Sequence, residues 1–286
     1  MVNVLKTEKF LFGFLLFTLF WLPLSLGANR PWAWALMQMS LFSIGGTLVL
    51  LNTSLLHQLY TKYRTFIILW VIFLAWQLIN IAPLPFALVE AIRPERVSYI
   101  LSEQWGNQEN VTSKWLSLSF DVGQSDVTFF KSLAYCFLFF IALTLVNSAK
   151  RLRYTLIVIS AAGIFQAIYG ALEVLSGIKY SLVFKQPVSH IATGSYIYKN
   201  HYANFLMLCL SAAIGYLIAS LHQDNTTSKR ERLRRLVKFW LSNKVLFRIG
   251  IIIMVIALVM SRSRMGNSAF FIAMTITATL GLIYFK

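Results

Sequence analysis

Charge is what this sequence has least of. Only 13% of its 286 residues are Asp, Glu, Lys or Arg, about half the share of an ordinary soluble domain. Acid is scarcer still, with 10 Asp and Glu against 26 Lys and Arg. A soluble domain of this size would need more charge than that to cover its surface. Cysteine is also sparse. Cys136 and Cys209 both lie inside apolar runs without metal-ligand spacing, so buried free thiols are expected. The chain has no phosphate-binding glycine loop, no His/Cys/carboxylate cluster spaced for a metal, and no Gly-x-Ser-x-Gly elbow. No metal and no cofactor is expected. No internal repeat is visible, which counts against a transporter built from paired halves.

Apolar residues supply the contrast, making up 58% of the chain at a mean hydropathy of +0.67. Most come in nearly uncharged runs of roughly 17 to 24 residues, close to the ~20 that a helix needs to cross a hydrocarbon core. The expected fold is therefore an all-α, polytopic transmembrane bundle, one integral membrane domain over 1–286. About eight spans are expected: 10–26, 32–55, 65–81, 127–146, 154–175, 201–221, 249–260 and 267–285. The first run lacks a convincing small-x-small cleavage site and reads as an uncleaved span. A tight polar turn, Gly27-Ala28-Asn29-Arg30-Pro31, follows it.

The formal net charge of +16 sits between the runs. It does not form a basic stripe interleaved with exposed aromatics, so no nucleic-acid partner is expected. Its 23 Phe, 12 Tyr and 8 Trp suit membrane spans and interfacial belts. With the N-terminus in the cytoplasm, 16 of the 26 Lys and Arg fall on the cytoplasmic side and 10 on the other; eight of the 16 lie between His222 and Arg248. The bias has the sign of the positive-inside rule and places both ends in the cytoplasm. The basic run 229–238 reads as cytoplasmic charge near anionic lipid. Asn110-Val111-Thr112 is a formal sequon that has no meaning in a bacterial host.

On that topology the polar parts of the outer face are the loops 86–126 and 176–199 and the turn 261–266. The first is acidic, with Glu90, Glu95, Glu103, Glu109, Asp121 and Asp126, and nothing in it names a ligand. The sixth span opens with Lys199-Asn200-His201-Tyr202-Ala203-Asn204. Asn200 and Asn204 share a helix face at i,i+4, with His201 beside Asn204 at i,i+3. A helix N-terminus suits an anionic group; the structural alternative is a polar cap anchored in the headgroup zone. Ser261-Arg262-Ser263-Arg264-Met265-Gly266 places two arginines directly after an apolar run, which is costly against lipid. Guanidinium forks bind phosphate bidentately and stay charged, although snorkelling to lipid phosphates is the alternative. In a regular helix the two side chains would point about 200° apart. Convergence on one phosphate requires a broken helix, which Gly266 can permit. Glu173 is the one carboxylate inside an expected span, near its outer end, a functional suspect or an ion pair with Lys179 or an arginine. His190 in the second loop is a base or a bystander.

Two segments, Gly194-Ser195-Tyr196-Ile197-Tyr198-Lys199-Asn200-His201-Tyr202-Ala203-Asn204 and Met260-Ser261-Arg262-Ser263-Arg264-Met265-Gly266-Asn267, resemble elements of the O-antigen ligase and polysaccharide polymerase superfamily. That family has an Asn-His-[aromatic]-Ala element entering a span and a Ser-Arg element after the next apolar run. Order, sidedness and separation agree, and the turn at 24–32 looks similar too. The specific likeness covers about 155–286. It implies glycan transfer at the periplasmic face of a bacterial inner membrane, from an undecaprenyl-diphosphate-linked donor to lipid A-core, a protein or another glycan. Ligase and polymerase chemistry stay open, as does a non-catalytic membrane partner in polysaccharide assembly. The resemblance gives Arg264, with Arg262 as its alternative, the role of stabilising the departing diphosphate. Lys199 and His201 would shape the donor site, and Asn200, Asn204, Ser261 and Ser263 are further candidates. Family members continue into a large periplasmic loop with a histidine thought to act as base. A truncated product is therefore expected here, and neither His201 nor His190 can be assumed to replace that base.

Overall fold

In the computed structural model, which describes residues 2–52, 54–103, 115–181, 183–185, 187–188, 190–220 and 245–284, those residues are helical or irregular apart from one two-residue ladder and an isolated antiparallel bridge between Tyr180 and Pro187. The helices are α1 (Val2–Trp21), α2 (Pro31–Leu51), α3 (Leu55–Ile81), α4 (Phe86–Ile92), α5 (Pro94–Glu103), α6 (Val122–Leu145), α7 (Ala149–Leu175), α8 (Lys199–Ala219), α9 (Val245–Met260) and α10 (Arg264–Tyr284). Among the described residues, six segments are helical, long and apolar enough to cross a membrane: Lys6–Leu24, α2, α3, α6, α7 and α8. The expected eight spans are reached only by adding α9, apolar but 16 residues long, and α10. The basic run 229–238 and the sequon at Asn110 lie outside the described residues.

Two compact units divide the chain, Met1–Glu8 with Gln38–Thr144 and Lys9–Met37 with Leu145–Lys286. In the first, the stretch 56–64 left between the expected second and third spans, with Lys62 and Arg64, is helical. α3 begins at Leu55 and bends at Tyr63 (φ −125°, ψ 30°). The expected loop 86–126 is partly ordered. Pro94 opens α5, where its missing N–H costs nothing. Val97 and, one turn on, Leu101 pack with Val89 and Leu118. Strands β1 (Leu84–Pro85) and β2 (Trp115–Leu116) pair antiparallel, Leu84 opposite Leu116. The fourth expected span starts five residues early, because the Asp121 carboxylate accepts from Gln124 N–H at 2.9 Å and caps a polar first turn as an N-cap does.

The second unit is built on close helix approach. α7, α8 and α9 pack on one another, and α10 packs on α8. A Cβ at Gly163 of α7 would lie 2.4 Å from Cys209 Cβ, and one at Gly250 of α9 would lie 2.3 Å from Ile164 Cδ1. Small residues at such contacts let backbones approach where hydrophobicity alone cannot drive helix association. The resulting core centres on Tyr202, Ala203, Leu206, Cys209, Leu210 and Met254, all fully buried. Cys209 is a buried free thiol, as expected, and Cys136 is free but half-buried.

Candidate functional site

The two motifs that stood 60 positions apart in sequence meet. Ser263 Oγ donates to Asn200 Oδ1 at 3.0 Å. Serine 263 holds this position because it also caps α10: its hydroxyl accepts from Gly266 N–H at 3.3 Å, and its carbonyl accepts from Asn267 N–H at 3.0 Å. Ser261 is spent on the same turn, donating to Leu258 O at 2.6 Å and accepting from Ser263 N–H at 3.3 Å. Both serines are buried, at 0% and 2% exposure. Their hydroxyls are thus committed to the frame of the turn, not to its open surface.

Helix α9 does break before α10, as convergence of the arginines requires. The break is not at Gly266. Arg262 carries the left-handed backbone (φ 47°), with its N–H on Val259 O at 3.0 Å. Glycine usually takes that conformation at a helix end, and an L-residue there costs roughly 1–2 kcal/mol. Gly266 serves packing instead: a Cβ on it would lie 2.8 Å from Ala203 Cβ of α8. Arg262 and Arg264 flank buried Ser263 in sequence, and both are exposed. Across the Ser263–Asn200 bond, Lys199 and His201 flank Asn200 and are exposed too, as is Asn204. His201 meets the Tyr198 ring edge-on, centroids 5.8 Å apart. Tyr198 precedes α8 in extended conformation and gives no side-chain cap to its first turn. No Asp or Glu occurs in 190–204 or 261–267, so these two segments supply three fixed cations, Lys199, Arg262 and Arg264, and no carboxylate of their own.

Beneath it lies a polar lock that the sequence reading passed over. Gln166 of α7 is fully buried. Its Nε2 donates to Pro23 O at 2.7 Å and to Ser195 Oγ at 2.6 Å, while its Oε1 accepts from Ser195 N–H at 3.0 Å. Ser195 Oγ also donates to Pro23 O at 2.8 Å, and Tyr202 Oη to Gln166 O at 3.2 Å. Two glycines make this approach possible in left-handed conformations. A Cβ at Gly194 (φ 54°) would sit 2.5 Å from Gln166 Oε1, and one at Gly27 (φ 63°) 2.5 Å from Tyr196 Cε1. Burial pushes the Tyr196 phenol well above its usual range, so it stays neutral. Ala192 N–H donates to Met260 O at 3.2 Å, tying the 192–196 segment to the arginine turn. The signal for the lock was present: a primary amide in mid-span has to find partners inside the protein. Attention to ionisable residues alone missed it.

Glu173 is buried at 3% exposure. Its Oε1 has no hydrogen-bond partner among the described residues, so that oxygen makes no close ion pair. The carboxylate borders a cavity of about 170 Å³ with Ser181, Thr193, Ser195 and Tyr196, and the Ser181 hydroxyl shares a 2.8 Å bond with Tyr169 Oη. His190 is exposed in the loop. No group of three or more metal-ligating side chains occurs among the described residues. No family model, no curated protein and no solved structure matches this chain.

Proposed function

We propose that this chain is a multi-pass membrane glycosyltransferase of the O-antigen ligase and polymerase type, with about eight spans and both ends in the cytoplasm of a bacterium. It would act at the periplasmic face of the inner membrane, moving a glycan from undecaprenyl diphosphate to lipid A-core or another glycan. One observation carries the reading: the Ser263–Asn200 bond, which joins the arginine turn to the start of α8, two segments that hold no Asp or Glu.

In the reaction an acceptor hydroxyl attacks the anomeric carbon. The bond from that carbon to the diphosphate oxygen breaks, and undecaprenyl diphosphate leaves with the electron pair. Charge builds on the departing oxygen, and donors already aimed there lower the barrier without reorganising. Arg264 is assigned to that charge, Arg262 to the second phosphate, and Lys199 with the first-turn amides of α8 to orienting the diphosphate. Ser261, Ser263 and Asn200 position the arginines. The acceptor's proton must pass to a base; His201 borders the site, but its place does not assign it that role.

The test uses the purified chain in nanodiscs with undecaprenyl diphosphate and undecaprenol as probes, read by native mass spectrometry. The diphosphate should be retained preferentially, and that preference should vanish in the Arg262→Ala/Arg264→Ala double variant. In membranes that perform the transfer, Arg264→Ala should reduce it by about 10²–10³, the cost of one lost charge-stabilising donor. Equal retention of both lipids, or a preference that survives the double variant, would defeat the assignment.

A further inference from the structure

A second recess lies within the first unit, at the ends of two helices. It is a groove of about 440 Å³, within the roughly 300–1,000 Å³ of small-molecule sites. The last turns of α3, the first turns of α6 and the segment before α6 form its walls. Both helices are long and apolar enough to cross a membrane, so their ends lie where hydrocarbon gives way to headgroups. Trp76, 61% exposed at the rim, is the residue type that marks that level. Deeper along α3, Ile72 and Leu69 are exposed on the same side, at helical spacing from Trp76. They offer a track for an acyl chain.

Most polar groups of the groove are spent on its frame. Ser119 N–H donates to Asn80 O at 3.0 Å, and the Ser119 and Ser125 hydroxyls share a 2.7 Å bond. Thr128 Oγ1 donates to Gln124 O at 2.8 Å, and Gln77 Nε2 to Ser132 Oγ at 3.0 Å. Such a frame keeps the groove formed without a ligand, which lowers the ordering cost of binding. Three groups keep capacity to spare. Arg93 gives Nη1 to Leu118 O at 2.8 Å and stands 5.7 Å from the Phe120 ring centre, which holds the guanidinium in place with most of its N–H donors free. Arg96 lies 5.3 Å from the same ring, outside the lining, and adds positive charge behind that end. Asp121 engages one carboxylate oxygen, Oδ1, on Gln124 N–H. Asn80 Nδ2 donates to Trp76 O at 2.7 Å; a carbonyl only accepts, so Oδ1 is the amide's free end. Among the described residues, neither Arg93 nor Asp121 forms an ion pair.

The lining thus has a donor end and an acceptor end, with one charge of each sign. A simple anion would gain Arg93 and meet Asp121, and a simple cation would face the reverse conflict. A divalent metal needs several hard ligands, and a single carboxylate lines the groove. An acyl chain alone would bury both charges unpaired, which is costly. A zwitterion satisfies both ends. A quaternary ammonium is held by a cage of aromatic rings; here Phe120 already faces two guanidinium groups, which leaves Trp76 alone. Asp121 and Asn80 offer acceptors, and acceptors call for N–H donors. We propose that the groove holds the headgroup of a phospholipid that carries a primary ammonium. The phosphate rests on Arg93, the ammonium on Asp121 and Asn80, and an acyl chain follows Ile72 and Leu69. Its place at the ends of two apolar helices assigns the groove to a lipid and not to a free zwitterion. The inference rests on the groove's own lining and not on the diphosphate reading.

The experiment is native mass spectrometry of the whole chain released from nanodiscs. The nanodiscs hold equal parts of phosphatidylethanolamine, phosphatidylcholine and phosphatidylglycerol with the same acyl chains. Phosphatidylethanolamine should be retained over phosphatidylcholine by about tenfold or more, the least that a hydrogen bond to a charged group is worth. Asp121→Asn should abolish that preference while still capping α6, since Asn and Asp cap equally well. Arg93→Gln should weaken retention of both zwitterionic lipids. The proposal falls if phosphatidylcholine is retained as well as phosphatidylethanolamine, or if phosphatidylglycerol is preferred to both. It falls too if the preference survives Asp121→Asn, or if Arg93→Gln retains both lipids as the parent does. Undecaprenyl diphosphate retention, measured on the same samples, separates the two readings. Selectivity for the ethanolamine headgroup without selectivity for the diphosphate would sink the proposed function alone; the reverse would sink this one alone.

Discussion

Helices α3 and α8 are equally apolar by composition and differ in what surrounds them. None of the most apolar stretch of α3 is buried inside the protein, against 39% of that of α8. α3 offers Leu69, Ile72 and Phe73 to the outside, whereas α8 sinks Tyr202, Leu206, Cys209 and Leu210 among its neighbours. Hydrophobicity accounts for why both enter a membrane. Close packing by small residues and satisfied polar groups accounts for why only one becomes a rigid platform. The cationic turn is mounted on that platform, and the exposed sides of α3 are left to lipid.

The contrast is broken most directly by adding volume. Gly163→Val should destabilise the second unit by about 3 kcal/mol, the upper end for overpacking, because its Cβ would meet Cys209 Cβ at 2.4 Å. Gly46→Ala on α2 meets nothing within 4 Å and should be neutral or gain up to about 1 kcal/mol from helix propensity. Thermal melting in nanodiscs reads both. Equal losses would mean that the second unit is no more tightly packed than the first.

Next in size is the polar lock. Gln166→Leu keeps the volume roughly constant and strands Ser195 N–H, while Pro23 O keeps its bond from Ser195 Oγ, at about 1–3 kcal/mol for the group left unpaired. Gln77→Leu in the first unit removes an amide that is already half unpaired and should cost about 1 kcal/mol or less. A melting point that falls further for Gln77 than for Gln166 would reverse the ranking.

These pairs also mark how far the sequence could be read. Apolar run length located six of the expected spans as helices long and apolar enough to cross a membrane, because insertion depends on one segment at a time. It misplaced their polar ends. The first turn of α6 is a helix held by a cap at Asp121, and the α3 segment around Lys62 is a helix with a bend; both look like loops by composition. The pairing of Asn200 with Ser263 was not legible at all, since neither spacing nor periodicity reports a contact across 63 positions. Gln166 was visible as a polar residue but its partners, Pro23 and Ser195, were not. Which residue breaks the helix after Met260 was misjudged: the sequence offers Gly266, and the turn uses Arg262, because Gly266 is needed against Ala203.

A smaller effect separates framing from chemistry at the turn. Ser263→Ala removes the cap on α10 and the bond to Asn200, and should cost about 1 kcal/mol, the usual value of an N-cap. Retention of undecaprenyl diphosphate should weaken with it, although the serine is buried and touches no lipid. Unchanged retention would show that the arginines hold their places without the Ser263–Asn200 bond.

The smallest stability change belongs to Arg262 and carries the sharpest sign. Its left-handed backbone stores strain that glycine lacks, so Arg262→Gly should leave the melting point unchanged or raise it by the equivalent of up to about 1 kcal/mol. Arg262→Ala keeps the strain and gains nothing. If the guanidinium is what justifies a strained residue at this position, both variants should lose diphosphate retention to the same degree while differing in stability. Strain kept where glycine would relieve it is otherwise unexplained. Should Arg262→Gly prove more stable and retain the diphosphate fully, the strain would have no functional counterpart, and Arg264 alone would remain as the anion-binding group of the turn.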